Sequence, residues 1–138
     1  MTPKQQMESK APSHTPLAGV VAAVISPASL VGTWNNTNHA TNDIVKIIIA
    51  AAGSNVKVEV FGACTPSPCV WGAAPGIAYA ANVSSAPAIA FSAQYKFSFA
   101  QVTVVGHLQG KLLDLETFTE FTDGSGRSNL YTTDQMSK

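Results

Sequence analysis

Three carboxylates, Asp114, Glu116 and Glu120, fall at even spacing with Phe118 between them. Even spacing along an extended strand puts side chains on one face. Two carboxylates held roughly 5–9.5 Å apart by facing strands can perform acid–base glycoside chemistry. The same three groups can also form a solvated outer face, and that is the expectation here. His107, between Gly106 and Leu108, offers a general base. No serine or cysteine nucleophile is set beside it by a recognisable motif, so a structural or surface histidine is expected. Asp123-Gly124-Ser125-Gly126 presents backbone donors that can hold an anion or simply turn the chain. Trp34, Trp71, Tyr79 and Tyr95 can stack on a sugar or another small molecule, or pack in a core. Asn35-Asn36-Thr37 and Asn82-Val83-Ser84 carry the spacing of glycosylation acceptors.

The two cysteines, Cys64 and Cys69, stand in Gly62-Ala63-Cys64-Thr65-Pro66-Ser67-Pro68-Cys69-Val70-Trp71-Gly72. A tight proline-rich turn can bring two Cα atoms within the roughly 4.4–6.8 Å that a disulfide needs. Free thiols and half of a metal site are the alternatives. A zinc site needs four ligands, which His14, His39 and His107 would complete only by chance geometry. A disulfide is the expectation wherever the compartment is oxidising, and it would stiffen one loop without holding the fold. No metal and no cofactor is expected.

Charge narrows the partners. Charged residues make up 12% of the 138, with eight basic and eight acidic side chains, against roughly 25% in an average domain. Such a chain lacks the basic stripe that nucleic-acid binding requires and the polybasic segment that an anionic membrane surface attracts. Its solvated faces must be built from Ser, Thr, Asn, Gln and Ala, a composition more typical of secreted or surface-exposed proteins than of cytoplasmic enzymes.

The elements that must position these groups are strands. Asp43–Ile49 and Val56–Phe61 flank Ala52-Gly53-Ser54-Asn55 and read as a hairpin. Val56, Val58 and Val60 face one way, Lys57 and Glu59 the other. From Ile89 to Phe99 the alternation is cleanest, with Phe91, Ala93, Tyr95, Phe97 and Phe99 on an expected core face. Gln101–Leu108, a two-residue turn Gln109-Gly110, Lys111–Phe121 and a last strand near Ser128–Met136 follow. No segment shows a helical period with caps. The pattern predicts an all-β fold, a small antiparallel up-and-down barrel of about eight strands over residues 30–138, with a β-sandwich as the alternative.

Residues 1–29 read as a flexible polar tail with a short apolar segment, Leu17–Ile25. Nine apolar residues are too few to span a bilayer. The segment fits a signal-peptide core, an element packed on its own barrel, or a strand donated to a neighbour.

Gly32-Thr33-Trp34-Asn35-Asn36 resembles the opening of the calycins, the lipocalin and avidin barrels. The avidin likeness implies that Asn36, two residues past the tryptophan, contacts the ligand. Ala40 stands where avidins place a serine, and the later pocket tryptophans are absent apart from Trp71. The lipocalin Thr-Asp-Tyr motif is missing as well. Calycins also stack a basic residue of the last strand on the first tryptophan, and Arg127 lies too early for that. The central Gly-x-Cys-x-Pro-x-x-Cys-x-Trp-Gly is similar to that of small uncharacterised bacterial proteins. The expectation is a non-enzymatic barrel that binds a small molecule, glycan or protein through Asn36, Trp71 and Tyr79. A self-assembling homo-oligomeric subunit that uses the apolar N-terminal segment as an intermolecular strand is the alternative, and a hydrolase stands third.

Overall fold

A computed structural model describes residues 24–138. The expected readings of the tail before residue 24 lie outside the described residues. Eight strands follow in chain order: β1 Gly32–Asn36, β2 Ile44–Ala52, β3 Asn55–Gly62, β4 Cys69–Ala80, β5 Ala88–Lys96, β6 Ala100–Gln109, β7 Leu112–Phe121 and β8 Leu130–Ser137. Each pairs antiparallel with the next, and β8 returns to β1, so the sheet closes into an up-and-down barrel. Closure excludes the sandwich. The architecture is compatible with that of calycins. The helical content among the described residues is one 3-10 turn, Ala28–Leu30.

Period-2 alternation decides which side chains enter. Val56, Val58 and Val60 point inward as expected, opposite Ala74, Gly76 and Ala78 of β4 and Phe91, Ala93 and Tyr95 of β5. A bulge between Ile44 and Lys46 resets the phase of β2, so that Ile44, Ile47 and Ile49 all face in. Large residues meet small ones across the interior. Phe91 pairs with Gly106, and Gly106 with Leu115. A Cβ built on Gly106 would collide with the Phe91 ring and lie 3.0 Å from Leu115 Cδ2. One on Gly76 would stand 2.9 Å from Val56 Cγ2. The inside of the barrel along these strands is therefore filled by side chains, the first of the two outcomes open to eight strands.

Phe99 corrects the expected core face. β5 ends at Lys96, and the Phe97 N–H donates to the Ala100 carbonyl at 2.8 Å to form a tight turn. That turn leaves Phe97 half-buried at the rim and Phe99 exposed. The hairpin after β6 also shifts by one residue. Gln109 pairs with Leu112, so the turn is Gly110-Lys111.

Loops 37–43, 63–68, 97–99 and 122–129 gather at one end, called here the mouth. The opposite end is closed by the 3-10 turn, which plugs Leu30 into the core. Ser26 there exchanges backbone bonds with Ala86 and Ala88, and Ile25 packs against the core.

Candidate functional site

Trp34 lies inside the closed end, almost wholly buried, and its indole N–H donates to the Leu30 carbonyl at 2.9 Å. Lys138 holds its Nζ 4.9 Å from the Trp34 ring centroid. Gly32 makes room for that lysine: with φ at +143° it has the backbone geometry glycine favours, and a Cβ there would be 3.1 Å from Lys138 Cε. The basic group over the first-strand tryptophan is thus Lys138, the residue after β8, and not Arg127. Arg127 serves its own turn. It donates to Asp123 at 2.9 Å and to Ser125 at 3.0 Å, and its guanidinium lies 4.0 Å from the Phe121 ring centroid. Hydrogen bonds from Ser125, helped by Arg127, hold the Asp123 carboxyl below its usual range.

Asn36 ends β1 at the mouth, facing inward and 5% exposed. Its Nδ2 donates to the Ile44 carbonyl at 2.8 Å and to Asp134 Oδ1 at 2.9 Å, and its Oδ1 accepts from the Asn38 N–H at 2.8 Å. Both amide hydrogens are engaged by the protein itself. This network ties the loop after β1 to β8, with Thr41 also reaching Asp134. Burial pushes the Asp134 carboxyl up, the Asn36 bond opposes it, and the nearby Asp43 charge raises it further.

Trp71 opens β4, also at the mouth. The register slips between Val60 and Phe61, so Trp71 is the extra residue of a bulge, followed by Gly72 at φ +94°. Bulges re-aim side chains. Here the indole is laid against Gly62, where a Cβ would meet Trp71 Nε1 at 2.8 Å. Trp71 packs edge-on to Tyr95 (5.6 Å between centroids) and Phe97 (5.7 Å), and Phe97 stacks on Phe99 (5.5 Å). The four rings cap the barrel beside the bridged Cys64–Cys69 loop, whose Cα atoms are 5.4 Å apart. Beneath them the Tyr95 hydroxyl lies 2.7 Å from the Val58 carbonyl and 3.0 Å from that of Gly72. Burial, reinforced by the Glu59 charge, raises its pKa to about 12.

Tyr79 stands apart from these groups. It is eight residues beyond Trp71 on the same strand, about 27 Å along it, exposed on the outer wall and hydrogen-bonded to Ser92 at 2.8 Å. The structure brings Asn36 and Trp71 to one end and leaves Tyr79 towards the other.

The carboxylates Asp114, Glu116 and Glu120 share the outer face of β7 with Phe118, while Leu113, Leu115 and Thr117 face in. His107 lies across from Asp114 at 3.6 Å, both partly exposed on the outer wall. Among the described residues no group of three or more His, Cys, Asp or Glu could hold a metal ion. One surface was not singled out from the sequence. Cross-strand register places Thr103, Phe118 and Tyr131 in one outward row and Gln101 beside Glu120 in the next. Phe118 and Tyr131 are 45% and 53% exposed, with ring centroids 5.2 Å apart. Glu116 fixes the second ring by accepting from the Tyr131 hydroxyl at 2.8 Å. Only the phase of β8 against β7 reveals this pairing, although Phe118 and its carboxylate neighbours were visible. No family model, curated protein or solved structure matches the chain.

Proposed function

We infer that this chain is a non-enzymatic binding module that works through its outer wall and mouth. One observation carries the reading: large apolar and aromatic side chains are held outside a barrel whose interior is packed shut. Phe91 fills the space over Gly106, while Phe118, Tyr131 and Phe99 keep close to half their surface in water. A half-exposed ring forgoes about half of the roughly 1.5–3 kcal/mol that full burial of such a side chain is worth, and rings rimmed by polar groups mark contact sites. Asn36 keeps the position that an avidin likeness implies, with its hydrogen bonds turned to structural use. Trp34 with Lys138 over it supports a calycin-like reading of the barrel. No metal or cofactor enters this reading, and the chain's low, balanced charge favours a partner other than nucleic acid. The bridged cysteines suit a secreted or surface-exposed setting. No helix among the described residues is long and apolar enough to cross a membrane.

The test is thermal melting of the full chain with neutral oligosaccharides, quaternary-ammonium cations and apolar acids in turn. A ligand at 100 times its Kd adds about 2.7 kcal/mol. Stabilisation by one class supports binding. No stabilisation by any, together with particle size that grows with concentration, supports the second reading.

That second reading, a self-assembling subunit, is favoured by the β1–β8 seam. It holds two register pairs, Asn35 with Ser137 and Asn36 with Met136, whereas β7 and β8 share eight. The Leu130–Asp134 half of β8 has no ladder partner on its β1 side among the described residues. An open edge accepts a strand, and residues 17–23 of a neighbour, the part of the apolar segment ahead of the Ile25 that packs on its own core, have the composition for it. A chain beginning at Val24 would then stay folded and lose assembly.

A further inference from the structure

We propose that the outer groove across β6, β7 and β8 binds a neutral saccharide, with the rings of Phe118 and Tyr131 as its floor. The proposal deepens the binding reading above and rests on it. The groove encloses about 420 Å³, inside the roughly 300–1,000 Å³ of small-ligand sites. Its two parts match the two faces of a pyranose. The C–H face of a sugar is apolar and flat, and the exposed rings, 5.2 Å apart and tilted by 42°, offer it a broad apolar platform. The sugar's rim is a ring of hydroxyls, each both donor and acceptor. Gln101, Glu120 and Asn129 line the same groove with planar polar groups, and Thr103 adds a hydroxyl. Carboxylates and amides engage adjacent hydroxyls in pairs and need no charge on the ligand.

Electrostatics selects among ligands. Glu120 lines the groove and Glu116 borders it; of the cations nearby, Arg127 is tied to Asp123 and laid on Phe121, and Lys96 stands on β5 across from Gln101, at the groove's far edge. An anionic ligand seated on the rings would lie beside two carboxylates, with the exposed Lys96 a strand beyond Gln101. A quaternary cation is recognised by rings that enclose it, whereas Phe118 and Tyr131 lie side by side on one wall. The platform is also pre-set. Glu116 holds the Tyr131 hydroxyl, so little side-chain freedom remains to be lost on binding. Another outer groove, lined by Pro75, Ile77, Ser92 and Gln94, contains no aromatic ring.

Affinity electrophoresis of the full chain tests this, with gels containing a β-glucan, a mannan, a galactan or hydroxyethyl-cellulose. The expected result is retardation by at least one polymer. Phe118→Ala and Tyr131→Ala should each weaken it at least tenfold, with unchanged melting temperature because both rings are surface groups. Ile77→Ala, an exposed position on the opposite wall, should leave it intact. Retardation that survives Phe118→Ala and Tyr131→Ala but is lost in Trp71→Ala overturns the assignment and moves the site to the mouth. No retardation by any polymer overturns the saccharide. A parallel choline-agarose column then separates the two failures. Retention of wild type but not Tyr131→Ala keeps a binding surface with a cationic ligand. Passage of both, with no saccharide retardation, overturns the proposal and the outer-wall reading beneath it.

Discussion

Replacing Gly106 by alanine adds one methyl group to the inner wall and decides whether that wall has space. Gly106 does not have a left-handed φ, so alanine brings no backbone strain. With room available, Gly→Ala stabilises by about 0.4–1 kcal/mol, because the unfolded chain has less freedom to lose. Here the methyl would run into Phe91 and reach 3.0 Å from Leu115 Cδ2, and overpacking of that kind costs about 1–3 kcal/mol. The net expectation is a loss of about 1–2 kcal/mol, a fall of about 4–8 °C in Tm at roughly 4 °C per kcal/mol. Urea unfolding of wild type, Gly106→Ala, Phe91→Leu and the double variant supplies a double-mutant cycle. Phe91→Leu removes the group that is struck, so the double variant should be more stable than the two single costs sum to, by more than about 0.5 kcal/mol. A raised Tm in Gly106→Ala, or additivity within that margin, would refute the packed interior.

The Tyr95 phenol is neutral and buried when folded, with its pKa raised to about 12, against about 10 in an unfolded chain. Its contribution is complete below about pH 10 and is lost as pH rises towards 12, so absorbance of its phenolate should appear together with unfolding. Tyr95→Phe should cost about 0.5–1.5 kcal/mol at neutral pH, because it removes the hydroxyl that donates to the Val58 carbonyl at 2.7 Å. Asp134 has a raised pKa from burial and the Asp43 charge, so the native state holds its proton more tightly than the unfolded chain. Its carboxylate should therefore destabilise increasingly as pH rises above about 4, until the raised native pKa is passed. The Tm difference between wild type and Asp134→Asn should move against wild type over that range, and a flat difference would contradict it. Reducing the Cys64–Cys69 bridge opens a loop of sequence separation 5. It should cost about 2 kcal/mol by loop entropy and leave the strand content seen by circular dichroism intact.

The barrel was legible wherever apolar and polar residues alternate. Val56 to Val60 and Phe91 to Tyr95 declare their faces because burial on one side only imposes period 2. β4 did not, because its inner residues are Ala74, Gly76 and Ala78, and Pro75 breaks the strand signature. Those small residues are what the large rings opposite require, so the packing that hides the strand from composition is also what fills the core. Phe99 was misplaced because alternation alone does not show where a strand stops. The cation over Trp34 is Lys138, just past the end of β8, where strand alternation carries no signal. Cys64 and Cys69 were readable from spacing. The Phe118–Tyr131 platform was not, since the two rings are 13 residues apart and meet only through the register of β7 with β8.

The central claim is that ligands meet the outside of a filled barrel. Its most direct test is a nuclear magnetic resonance shift map of the full chain, titrated with a short neutral oligosaccharide of the polymer that retards it. Saturable shifts are expected at Gln101, Thr103, Phe118, Glu120 and Tyr131, with the methyl groups of Val58, Val104 and Leu115 unmoved. Saturable shifts of those interior methyls, with the outer residues silent, would contradict it.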